Sequence, residues 1–346
     1  MNSNPLAAIF GMAGTTLNDA ERAFFKRTRP VGYILFARNI ENPVQVIALV
    51  NDLRSLDLTY GPLVLIDQEG GRVQRLKPPY WRHAPTMAEF GALHSRDPAK
   101  AASALRLDMR LIGEELRALG IDVDCAPVMD VPVPGAHDVI GDRAFGGDPA
   151  LVSAMAPAAC EGLIDAGVVP VIKHIPGHGR AASDSHKELP VVTDSLETLR
   201  ANDFAPFRAL CGTPLQNSCF AMTAHVVYQA LDSRQPATNS KTVIADFIRG
   251  EIGFRGLLMS DDLGMKALAG PFDARAAAAL EAGCDVVLHC EGVLAEMEAV
   301  AKGTGPLGAN GLRAFEASSA VRGKPREVVP NVAAAAFQVL DSLRHG

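Results

Sequence analysis

The segment Lys173-His174-Ile175-Pro176-Gly177-His178-Gly179-Arg180-Ala181-Ala182-Ser183-Asp184-Ser185-His186 gathers three histidines, a lysine and an aspartate into one stretch. Gly177 and Gly179 leave its backbone permissive. Asp184 and His186 are two residues apart, so in an extended loop both side chains face the same way. A carboxylate beside an imidazole orients the ring and tunes its proton affinity, the arrangement that general acid/base catalysis needs. A metal site is the competing chemistry. His174, His178, His186 and His225 with Asp184 have the ligand types for a divalent ion. Lys173 beside His174, and Arg143 if it reaches the same face, disfavour a cation there.

Other polar residues follow short apolar runs. Asp67-Gln68-Glu69-Gly70-Gly71-Arg72 follows one, Asp130 another, and Asp142-Arg143 lies in the next loop. His225 ends a further run, and Ser260-Asp261-Asp262 ends the one after it. Each has a bland explanation. Asp67 and Asp261-Asp262 suit helix caps, Lys173-His174 suits a strand leaving the core, and His225 alone suits a satisfied structural histidine. Independent caps, however, need not all fall at the ends of strands.

The elements that must hold these residues alternate. Short apolar runs at 7–10, 32–36, 63–67, 121–126, 168–173, 220–225, 256–260 and 286–289 read as strands buried on both faces. Helical patterns lie at 42–54, 98–119, 148–166, 195–210, 240–252 and 273–282. Asn42-Pro43 opens the first of these, and Gly120, Gly167, Gly253 and Gly283 suit helix stops. The stretches 132–135 and 303–311 read as loops. Eight strand–helix alternations predict a parallel sheet closed into an α/β (β/α)8 TIM-type barrel, one domain over residues 1–346. In such a barrel the strand C-termini converge on one face, where active sites are built. A doubly wound open sheet is the alternative, but no GxGxxG follows an early strand.

Bulk properties exclude several classes. The 346 residues carry a net charge of -6, with 21% charged and 48% hydrophobic, so no basic surface for nucleic acid is indicated. The six cysteines form no CxxC pair and are expected as buried reduced thiols. The N-terminus MNSNPLAAIFGMAG lacks the basic segment of a signal peptide. No run approaches the ~20 apolar residues of a membrane span. A cytoplasmic monomer is expected, without membrane or nucleic-acid partners.

With these residues in place, the sequence resembles bacterial β-N-acetylglucosaminidases of glycoside hydrolase family 3, the NagZ type. IDQEGGRVQRL from Ile66, APVMDV from Ala126, IGDRAFGGDP from Ile140, KHIPGHGRAASDSHKELP from Lys173, AHVVY from Ala224 and GFRGLLMSDDLGM from Gly253 carry the resemblance in order. Ile175 stands where an aromatic is common, and Gly264 where serine is usual. The resemblance implies Asp261 as nucleophile, His186 as acid/base and Asp184 as its partner. It implies Asp67, Arg75, Arg143, Lys173 and His174 as ligands of the terminal sugar, with no metal and no cofactor. It further implies exo-acting, retaining hydrolysis of terminal β-linked N-acetylglucosamine, with GlcNAc–anhydro-muropeptides of cell-wall turnover as natural substrate. The segment after Glu291 carries little of the resemblance. Phosphorolysis of the same glycosides, a metal-dependent barrel hydrolase and a non-catalytic sugar-binding protein are the alternatives.

Overall fold

The computed structural model describes residues 4–56, 59–326 and 329–345; the start of the N-terminal segment read above, and the two ends of the expected domain, lie outside them. Eight parallel strands close into a barrel: β1 (Leu6–Gly11), β2 (Pro30–Leu35), β3 (Leu63–Ile66), β6 (Val123–Asp124), β7 (Val169–Ile175), β9 (Phe220–Thr223), β11 (Leu258–Asp262) and β12 (Val286–His289). β1 pairs with both β2 and β12, so the sheet has no free edge. Two short pairs decorate it: β4 (Gln68–Gly70) with β5 (Val73–Gln74), and β8 (Val191–Val192) with β10 (Val227–Tyr228).

Helices clothe the outside. They are α1 (Asp19–Thr28), α2 (Pro43–Ser55), α3 (Met87–His94), α4 (Pro98–Ala118), α5 (Pro149–Asp165), α6 (Leu196–Ala201), α7 (Phe204–Cys211), α8 (Phe272–Ala282), α9 (Leu294–Lys302), α10 (Ala309–Ser318) and α11 (Val332–His345). α2 starts as its sequence predicts, with Asn42 accepting the Gln45 N–H and Pro43 in the first turn.

The period-2 alternation of strand side chains divides the apolar residues between two cores. Ile9, Val31, Leu63, Leu65, Val123, Val169, Val171, Met222, Met259 and Leu288 fill the barrel interior. Ala8, Phe10, Tyr33, Val64, Ile66, Ile172, Leu258 and Val287 face outward under the helices. Each run is apolar throughout because both of its faces are buried.

Several expectations need correction. The helix expected over 195–210 is two, α6 and α7, because Asp203 between them is buried and accepts a hydrogen bond from Arg180 Nε at 2.5 Å. The strand expected over 121–126 is reduced to β6, because side chains replace part of the backbone ladder: Asp122 accepts the Val64 N–H and Asp124 the Gln68 N–H. The stretch 303–311, expected as loop, already turns into α10 at Ala309. The helix in 240–252 is wound wide over Val243–Glu251, closing with Ile252 N–H on the Phe247 carbonyl. α1, α3 and the three C-terminal helices add to the expected set.

Candidate active site

The strand parity that builds the interior also aims the polar residues. Val169 and Val171 point inward, so Lys173 does too; Leu63 and Leu65 are followed by Asp67, and Leu257 and Met259 by Asp261. These side chains line a cavity of about 250 Å3 at the C-terminal mouth of the barrel, over an apolar floor of Ile34, Met222 and Leu288. The same cavity is lined by Arg75, Arg143, His174 and His186. Asp184 reaches it through His186, whose Nδ1 lies 2.9 Å from Asp184 Oδ1, while the His186 backbone N–H donates to the same oxygen at 3.0 Å.

Fixed charges of both signs form one wall of the cavity. Lys173 Nζ donates to Asp67 at 2.8 Å and lies 2.6 Å from Glu69. Arg75 donates to Asp67 at 3.1 Å, and Arg143 grips Glu69 through two bonds of 2.8 Å. Burial alone would raise the Asp67 carboxyl; Lys173 and Arg75 outweigh it and hold it well below the usual carboxylate range. Burial likewise opposes ionisation of Glu69, and Arg143 and Lys173 reverse that. For Lys173 burial favours the neutral amine, but the two acids lift its affinity for the proton above that of a free lysine. The wall is therefore ionised at neutral pH and offers fixed donors and acceptors to hydroxyl groups.

Asp130 organises the next strand end. Its Oδ2 lies 2.7 Å from His174 Nδ1, and its Oδ1 accepts the backbone N–H groups of His174 and His178. Burial pushes this carboxyl up, yet His174 and His178 bring it to about 2. An ordinary aspartate sits near ~3.9, so the native contacts contribute stability above that value and lose it as pH falls toward 2. The difference is about 3 kcal/mol. Asp130→Asn is expected to lower urea-unfolding stability at pH 7 by at least about that amount, with the gap to wild type closing at pH 3 and below.

His225 is satisfied structurally. Its Nε2 donates to the Asp262 carbonyl at 3.0 Å, Nδ1 lies 2.7 Å from Thr238 Oγ1, and burial lowers its pKa. It supports the backbone that carries Asp261. Among the described residues no group of three or more His, Cys, Asp or Glu side chains is placed to hold a metal ion. The six cysteines are buried thiols.

Asp67, Arg75, Arg143, Lys173, His174, His186 and Asp261 thus meet at one cavity, with Asp184 immediately behind His186. Glu69 and Asp130 belong to the same machinery and were not singled out by role. Glu69 had a signal, since it sits two residues beyond Asp67 and shares its side of the chain. Ser185 and His178, which also line the cavity, had none beyond their place in the histidine-rich segment. Among the described residues no helix is long and apolar enough to cross a membrane.

Known proteins share this plan. Residues 8–307 match the family model for the glycosyl hydrolase family 3 N terminal domain. A β-hexosaminidase of Alkalilimnicola ehrlichii is 45% identical over 286 residues, which cover 82% of this chain and 80% of that protein. One from Bordetella avium is 39% identical over 289 residues, 83% of this chain and 81% of its own. NagZ from Neisseria gonorrhoeae, solved in complex with N-trifluoroacetyl-D-glucosamine, superposes with a TM-score of 0.88 at 31% identity over 98% of both chains. A closed barrel with ionised acids, an imidazole–carboxylate pair and fixed cations at its C-terminal mouth agrees with that match, and the chain belongs to glycoside hydrolase family 3 and is a glycosidase.

Proposed function

We infer that this glycosidase is an exo-acting, retaining β-N-acetylglucosaminidase that works through a covalent glycosyl-Asp261 intermediate, with the His186–Asp184 pair moving the proton. The observation that carries the reading is the imidazole–carboxylate pair, 2.9 Å apart, on a loop lining the cavity that holds Asp261. Burial would raise the Asp261 carboxyl, but His174, His225 and the Asp262 N–H hold it below its ordinary value, in the ionised state a nucleophile needs. That N–H occupies one oxygen at 2.8 Å, leaving the other for the anomeric carbon.

In the first half-reaction the free Asp261 oxygen forms a bond to the anomeric carbon as the glycosidic C–O bond breaks, and imidazolium His186 gives its proton to the departing oxygen. In the second, neutral His186 takes a proton from water, the water oxygen bonds to the anomeric carbon, and the Asp261 carboxylate departs. The sugar leaves with retained configuration. Asp184 fixes the ring's tautomer and stabilises the imidazolium. Asp67, Arg75, Arg143, Lys173 and His174 bind the hydroxyls of a single terminal residue, a reading supported by the small size of the cavity, about 250 Å3. We take residues 1–346 as one catalytic barrel working as a monomer in the cytoplasm, with GlcNAc–anhydro-muropeptides of peptidoglycan recycling as substrate.

The test is the leaving group. His186→Ala should lower kcat/KM by about 10^2–10^4-fold for phenyl β-N-acetylglucosaminide and by far less for the 2,4-dinitrophenyl glycoside, whose phenolate departs without a proton. Equal losses on both would remove His186 from the acid role. Wild type assayed with chelator, and its products analysed in phosphate buffer, separate this reading from metal-dependent hydrolysis and phosphorolysis.

A further inference from the structure

The loop bearing His186 is exposed, yet its working residue must meet the anomeric centre within a few tenths of an ångström. Its base is anchored on the barrel. Tyr228 Oη donates to the Gly177 carbonyl, and Arg180 bonds Asp203 and Asp194. A side chain at Gly179 would put its Cβ 2.1 Å from the Val131 carbonyl oxygen, so only glycine lets the loop lie this close. Beyond that base, over the described residues 182–189, Ser185 alone is buried. Its neighbours Asp184 and His186 are the acid/base pair.

Ser185 is gripped from two sides. Its Oγ lies 3.1 Å from His178 Nε2, and its carbonyl accepts the Ala267 N–H at 3.2 Å. His178 is fixed by its backbone N–H on Asp130; Ala267 lies on the segment that follows Asp261 and Asp262. His178 Nδ1 is buried without a protein partner among the described residues. An orphan N–H costs more than an orphan lone pair, so the ring proton sits on Nε2 and is donated to Ser185. Burial and the neighbouring His174 bring the His178 pKa to about 4, so this ring is neutral through the physiological range.

We propose that the His178–Ser185 hydrogen bond is a latch that positions the Asp184–His186 pair relative to Asp261. His178 and Ser185 are positioning residues: they carry no proton in the reaction, and they act by fixing the one loop residue that lies between acid/base and orienting carboxylate. The second grip, from Ala267, ties the same residue to the segment carrying the nucleophile, so the latch sets the separation that retention requires. The inference rests on the acid/base reading of His186.

A double-mutant cycle on two substrates tests it. Ser185→Ala and His178→Phe are each expected to lower kcat/KM for the phenyl glycoside about tenfold, with less than twofold change for the 2,4-dinitrophenyl glycoside. The double variant should lose no more than either single one, since one bond is removed in all three. His178→Gln, which keeps an N–H donor, should recover most of the activity. Equal losses on both substrates, a multiplicative loss in the double variant, or no loss in Ser185→Ala would overturn the latch. Should His178→Phe fail to fold, Ser185→Ala with the His178→Gln comparison still decides. His186→Ala, run in parallel, separates the two claims. A leaving-group-dependent loss there without one in Ser185→Ala sinks the latch alone; its absence in His186→Ala sinks the acid/base reading itself.

Discussion

Asp261→Ala is expected to abolish hydrolysis, lowering kcat/KM by about 10^4-fold or more, while the protein keeps its fold and loses no thermal stability. Activity falls because the ionised carboxylates of the wall are already tied, Asp67 to Lys173 and Arg75, and Glu69 to Lys173 and Arg143. The adjacent Asp262 is the obvious substitute, but it is one residue out of step with the inward-facing Leu257, Met259 and Asp261. Its Oδ1 is also held by the Gly264 and Cys290 N–H groups. The proton affinities of the two neighbouring acids are driven apart, Asp261 held below its ordinary value and Asp262 raised to about 6, chiefly by burial, and such splitting is how environment assigns roles. Asp262→Asn should accordingly retain far more activity than Asp261→Ala. Stability is spared because Asp261 lies one residue before the end of its strand, at the cavity, and among the described residues forms no ion pair with the wall of Lys173, Asp67 and Glu69. A 2-deoxy-2-fluoro glycoside with an activated leaving group should add one fluorosugar to the wild-type peptide containing Asp261, and nothing to the variant. An adduct on Asp262, or inversion of the first-formed product, would reassign the chemistry.

The barrel was legible because parity and polarity change together at each strand end. Leu63–Leu65–Asp67, Val169–Val171–Lys173 and Leu257–Met259–Asp261 are the same statement made three times: two inward apolar residues, then an inward ionisable one at the rim. The wall was only half legible. Asp67 stood out at a strand end, whereas Glu69 owes its importance to Arg143, 74 residues away in sequence, and pairings over such distances leave no local pattern. Asp130 is similar, since its partners His174 and His178 lie 44 and 48 residues on. The break between α6 and α7 follows from a tertiary demand, the need of Arg180 for Asp203, that overrides a helical pattern. α1 is a different case. Asn18 and Glu21 form a capping box, so its start was written in the sequence at the expected spacing, but the helix follows a loop too close to β1 to stand out beside the longer patterns.

Lys173→Met should produce the second large effect, and on stability and activity together. Lys173 is fully buried and serves two buried acids at once. Removing one partner of a buried ion pair costs about 3–5 kcal/mol, because the remaining charge stays desolvated. Here the lower end applies, since Asp67 keeps Arg75 and Glu69 keeps Arg143. The pH dependence identifies the cause. In the wild type Asp67 is held low, so its stabilisation is present above the ordinary carboxylate range and is lost as pH falls below it. Lys173 is held high, so its contribution is present below the ordinary lysine range and is lost only as pH rises above it. In Lys173→Met the Asp67 carboxyl moves up toward its ordinary value, and the acid limb of the stability profile shrinks. The difference between wild type and variant, measured by urea unfolding, should therefore be largest at neutral pH and diminish below pH 4. Catalysis should fall by about 10^2–10^3-fold in kcat/KM, because the ammonium holds Asp67 and Glu69 in place and, in the proposed function, also donates to the sugar. Lys173→Arg should not restore it, as a planar fork cannot occupy the position of a point charge between two carboxylates 2.6–2.8 Å from Nζ. A stable, acid-insensitive Lys173→Met protein would mean that the two arginines alone neutralise the wall, and that the buried lysine serves the substrate rather than the fold.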